Sequence, residues 1–155
     1  MRTAARFPEV PEKAGHYESL YLKLNQPGGG KAAWIRHTVH KRPKEAATCA
    51  LWFVLFDSEA AGPRATKRQF GADELDAPEG SYIRIADATL GDGKAAGRVS
   101  TDVMEAKWDL TFSDKHEPFH HLPREFLYNA PLPKTKFLSP YPDAVFNGRL
   151  EVGGE

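Results

Sequence analysis

Cysteine occurs once in the 155 residues, as Cys49, so no disulfide can form within the chain, and a reducing cytoplasm is the compartment this suits. Neither sign of charge is in excess. Lys and Arg together number 21, as do Asp and Glu, which leaves no global field to draw in nucleic acid or an anionic membrane. No apolar run nears the roughly 18 residues of a membrane-spanning helix. Residues 1–8, Met1 to Pro8, lack the apolar centre of a secretory signal. The expected partners therefore include neither nucleic acid nor a membrane span. Helical periodicity of packing length is missing too, which argues against an α/β fold.

What is present is alternation with a period of two. Leu20, Leu22 and Leu24 alternate with Tyr21 and Lys23, and Pro27-Gly28-Gly29-Gly30 then turns the chain into a second run from Lys31 to His40. A third strand follows from Thr48 to Asp57. Its centre, Leu51-Trp52-Phe53-Val54-Leu55-Phe56, is uninterrupted and reads as a strand buried on both faces. Arg64 to Phe70 reads as a polar edge strand. Ile83 and Ile85 share a face opposite Tyr82 and Arg84. Met104, Ala106, Trp108, Leu110 and Phe112 form the clearest one-sided stripe, and Phe146, Leu150 and Val152 form the last.

Between these last two, the segment 114–143 holds six prolines, so neither a helix nor a central strand can run far there. Its aromatic and aliphatic content suits a belt lying across the sheet rather than disorder. The pattern predicts an all-β protein of about 7–8 antiparallel strands, a barrel or a strongly bent sandwich with a long Pro-rich loop. Residues 1–15 form an irregular arm, and 16–155 a single domain. With 41% hydrophobic residues, a chain of this length can bury about two-thirds of its unfolded surface.

Few residues suggest chemistry. His116, His120 and His121, with Glu117, are the only cluster resembling metal ligands, but Pro118 prevents a helical spacing, and adjacent histidines in extended chain point apart. No metal and no cofactor are expected. Gly28-Gly29-Gly30-Lys31 lacks the spacing, the following Ser or Thr and the helix of a phosphate loop, so it is a turn. No nucleophile elbow occurs, no paired carboxylates stand at matched positions on one strand face, and a catalytic role is not expected of this chain alone. Cys49, heading an apolar strand, reads as a small core residue. His37 shares a face with Ile35 and Val39, where a core histidine is the expectation. Trp34, Trp52 and Trp108 lie on three strands, and could line a cavity with Arg36 and Phe112 or simply fill a core. Arg36 beside Trp34 would orient a polar ligand group inside a barrel, or be solvated on an outer face.

Gly15-His16-Tyr17-Glu18-Ser19, Leu22-Lys23-Leu24-Asn25, Ala33-Trp34-Ile35-Arg36, Leu51-Trp52 through Phe56-Asp57, and Leu132-Pro133-Lys134-Thr135-Lys136 before Ser139-Pro140-Tyr141-Pro142 carry a resemblance. Together they resemble the N-terminal half of the lipocalin-like proteins grouped with hydroxyneurosporene synthase (the carotenoid 1,2-hydratases) and the AttH proteins. That resemblance implies a lipocalin-like fold, an apolar isoprenoid-like ligand, and a second half or an oligomeric partner. The family's proposed catalytic groups lie in its C-terminal half, so it implies no catalytic residue here. The functional expectation is a non-catalytic binding or scaffold module. The alternatives are a half-domain of a hydratase or cyclase, and a structural or interaction domain.

Overall fold

The computed structural model describes residues 1–153, and they form twelve strands in antiparallel sheets. Strands β1 (His16–Asn25), β2 (Lys31–Lys41), β3 (Thr48–Asp57) and β4 (Arg64–Phe70) make a four-stranded meander. A second sheet of six runs in the order β12 (Val145–Val152), β9 (Glu105–Ser113), β8 (Lys94–Ser100), β7 (Ala88–Gly91), β6 (Ser81–Ile85) and β5 (Leu75–Asp76). Two residues each from β10 (Phe119–His120) and β11 (Leu138–Ser139) pair within the Pro-rich segment. The extra strands beyond seven or eight are short: two-residue pairings have no periodicity to read, and β7 is rich in small residues.

Neither large sheet closes, which removes the barrel from the two expected architectures. A turn over Gly71–Glu74 breaks the chain between β4 and β5, and the edges β1 and β12 are not hydrogen-bonded to each other. The two sheets instead share one core. Ile35, Val39, Leu51 and Phe53 come from the first sheet, and Ile83, Ile85, Val99, Ala106 and Trp108 from the second. Strand β9 alternates buried and exposed along its whole length, the period-two pattern in its clearest form.

Strand β3 departs from the expected burial on both faces. Cys49, Leu51, Phe53 and Leu55 are buried, whereas Trp52 and Val54 are half-buried and Phe56 is exposed. Its backbone is paired on both sides, but nothing in the second sheet covers its outward side chains. A register shift between Ser81 and Ile83 turns Tyr82 inward as well, leaving three consecutive residues buried or half-buried where alternation was expected.

The N-terminal arm is part of the core. A single 3-10 turn over Phe7–Glu9 buries Phe7, at the end of the sandwich where β1 begins and β2 finishes. The Glu18 carboxylate accepts the backbone N–H groups of Arg6 and Phe7 at 3.0 and 2.8 Å, and Lys41 Nζ donates to the carbonyls of Phe7 and Val10. The Pro-rich segment is tied down by the same arm. Arg2 donates to the carbonyls of Asp114, His116 and Pro140, and Arg6 to that of Tyr128. Tyr128 is itself buried, and its hydroxyl bridges Leu122 and Phe137.

Candidate functional site

The end of the sandwich opposite Phe7 is open. There the β1–β2 hairpin, the end of β3, the middle of β9 and most of β12 enclose a cleft of about 810 Å³. Its floor comes from the inner faces of four strands: Ala33 of β2, Leu55 of β3, Leu110 of β9 and Val152 of β12, each buried. Leu24, Phe146 and Leu150 form the walls and are partly buried. Strand β12 carries no side chain opposite Leu110, because Gly148 stands there between Phe146 and Leu150 in register. Gly148 is required for a second reason: its φ of +132° is one L side chains rarely adopt, and a Cβ would collide with the Asp109 carbonyl.

The rim is polar. Asn25, Gln26 and Asn147 supply amides, and Lys31 and Arg149 supply cations, each with a carboxylate neighbour in Asp57 and Glu151 respectively. None of the lining residues is an acid, a histidine, a tyrosine or a cysteine. An apolar floor under a small polar rim is the general make-up of a small-molecule site, and the volume lies within the usual range for one. A shallower pocket of about 480 Å³ lies on the other side of the hairpin, between it and the β3–β4 turn at Ser58–Pro63, sharing Asn25, Gln26, Lys31 and Ala32.

The five residues that suggested a ligand cavity are divided by the fold. Trp34, Arg36 and Trp52 lie on the outer face of the four-stranded sheet, while Trp108 and Phe112 lie in the core. None of the five lines the cleft, although Phe112 packs on the cleft residue Phe146 with ring centroids 5.3 Å apart. Trp108 stacks on Phe53, and its Nε1 has no hydrogen-bond partner. The residues that do form the floor were all on apolar faces visible in the sequence. What periodicity could not give was which end of the core opens.

His37 is fully buried on the inner face with neither ring nitrogen hydrogen-bonded, and burial lowers its pKa to about 4. It is therefore a neutral core residue at ordinary pH. Burial, helped by Glu74 and Asp73, pushes the Cys49 thiol up to about 11, which keeps it protonated at ordinary pH. The three histidines of the Pro-rich segment do not converge. His116 bonds the Asp114 carboxylate at 2.9 Å, His120 packs edge-on against Tyr128, and His121 bonds Ser139 Oγ at 2.9 Å. Among the described residues no three His, Cys, Asp or Glu side chains come together as a metal site, and no helix is long and apolar enough to cross a membrane.

A tyrosine–carboxylate cluster lies outside the cleft. Asp92 accepts the hydroxyls of Tyr82 and Tyr141 at 2.5 and 2.6 Å, and these bonds hold its pKa down to about 2. Arg2 donates its backbone N–H to Asp92 and lays its guanidinium over the Tyr141 ring. Together these contacts join the arm, the β7–β8 turn and the end of the Pro-rich segment. No known protein family, curated protein or solved structure matches this chain.

Proposed function

We propose that the chain is a non-catalytic, lipocalin-like binding module that takes an elongated apolar molecule, isoprenoid-like in character, in the cleft between the two sheets. One observation carries this reading: the shared core is stopped by Phe7 at one end and opens at the other into an apolar cleft with a polar rim. An apolar chain entering there would cover Leu24, Phe146 and Leu150 and remove their remaining surface from water, at about 25 cal/mol per Å². The amide and cationic rim would meet a polar head group.

The absence of any acid among the lining residues favours binding over alkene protonation, which needs a positioned proton donor. The flanking strands β1 and β12 are both sheet edges, so a second half or another copy could add strands beside the cleft.

Farnesol and geranylgeraniol titrated into the protein, followed by native mass spectrometry, test the proposal. Saturable one-to-one binding is expected, weakened at least tenfold by Leu24→Gln with Leu150→Gln, two partly buried positions on the cleft wall. A folded protein that takes up neither alcohol would sink it, as would binding indifferent to the double variant.

A further inference from the structure

A different surface carries a second binding reading. The register of the four-stranded sheet sets Tyr21, Arg36, Trp52 and Lys67 in one row across its outer face, one residue from each strand. The neighbouring row begins with Lys23 and Trp34, and Tyr17 lies beyond on the exposed edge strand. Every residue that β1 to β4 place on this face is aromatic, basic, small or uncharged; no Asp or Glu is among them. The equal totals of acid and base therefore hide an uneven placement, with three cations and no carboxylate on this face.

These cations rest on rings rather than on counter-charges. Lys67 Nζ is 4.3 Å from the Trp52 ring centre, Arg36 Cζ is 5.2 Å from that of Trp34, and Lys23 Nζ is 5.9 Å from the same ring. Arg36 is also held in place by Ser19 Oγ at 2.7 Å and the Tyr17 hydroxyl at 2.8 Å. Those bonds use two of its five N–H donors, leaving the rest for an anion. Planar rings stack here too. Phe137 of the Pro-rich segment lies on Tyr21, 14° from parallel with centroids 6.1 Å apart.

We propose that this outer face binds single-stranded nucleic acid, its phosphates meeting Lys23, Arg36 and Lys67 and its bases stacking beside Tyr17, Trp34 and Trp52. A positive track with aromatic stacking platforms on an open sheet is the general solution for unpaired strands. The flat rings and the fixed guanidinium favour a polymer that offers both planar groups and anions over an acidic peptide, which offers charge alone.

Fluorescence anisotropy of a labelled twelve-residue oligothymidylate tests this, with poly-glutamate as competitor. Three phosphate contacts predict a slope of log K against log salt near about −2, since each contact on a single strand contributes roughly −0.7. Lys23→Gln with Lys67→Gln, both at exposed positions outside the cleft, should shrink that slope by about 1.4. Trp52→Leu should weaken binding at least fivefold with little change in slope. The proposal is overturned if the oligonucleotide fails to bind at low salt, if poly-glutamate displaces it at equal charge, or if the lysine pair leaves the slope unchanged. Farnesol binding by the same lysine variant keeps this result separate from the fate of the cleft.

Discussion

The indole of Trp108 lies against the ring of Phe53, with centroids 6.1 Å apart and planes 14° from parallel, and this stack joins the six-stranded sheet to the four-stranded one. Both residues are almost wholly buried. Each is the inward member of an alternating strand, and the two meet only because the sheets face each other.

Truncating either ring should leave a cavity in the middle of the sandwich. Phe53→Ala and Trp108→Ala are each expected to cost about 3–5 kcal/mol of stability, measured by urea denaturation. Because the rings touch, the double variant should cost less than the sum of the two, with a coupling of about 0.5–1.5 kcal/mol. Strict additivity would mean that the stack contributes nothing beyond the burial of each ring.

Gly97 on β8 is paired with Trp108 and lies against Ala88 on β7. A Cβ there would be 2.5 Å from the Ala88 Cβ and 3.2 Å from Trp108 Cζ2. Gly97→Ala should therefore destabilise by about 1–3 kcal/mol, as overpacked cores do. Adding Ala88→Gly should recover little of that loss in a thermal melt, because the Ala88 Cα would still lie 2.6 Å from the added Cβ. A Gly97→Ala protein that melts with the parent would contradict the packing described here.

His37 makes stability depend on pH in a definite direction. Its folded pKa, about 4, lies below the 6.5 of an exposed imidazole. The unfolded chain takes up a proton first, so stability is level above about pH 6.5 and falls as the pH drops from there toward 4. The full difference amounts to roughly 3 kcal/mol, at about 1.4 kcal/mol per unit. His37→Leu should remove this part of the acid sensitivity, with little cost at pH 7, since neither ring nitrogen makes a hydrogen bond. Denaturation at pH 7 and 4.5 compares the two proteins; an equal loss in both would place the acid sensitivity elsewhere.

Much of this was open to reading along the chain. The stripe of Met104, Ala106, Trp108, Leu110 and Phe112 is buried as its alternation required, and the first hairpin turns within Gln26–Gly30. The Pro-rich segment takes no strand longer than two residues. Reading failed where a local pattern has two tertiary outcomes. The apolar run Leu51–Phe56 is continuous in sequence, but only its odd-numbered members are buried. Likewise Phe7 gives no local sign of burial, because one aromatic between two charged or proline neighbours has no period.

For the candidate sites, the residue types were visible and their grouping was not. Trp34, Trp52 and Trp108 carry the same side chain on three strands, yet the first two face outward and the third lies in the core.

The sequence by itself determined the longer strands and which residues share a face of each, because a side chain's face follows from a period of two residues. Only the tertiary structure decided that the sheets stay open, that Phe7 closes one end while Leu110 floors a cleft at the other, and that Lys23, Arg36 and Lys67 of the first sheet share a face with no carboxylate. Those outcomes depend on contacts between residues far apart in the chain, such as Lys23 beside Trp34 and Trp52 beside Lys67, which strand pairing creates and local pattern cannot encode.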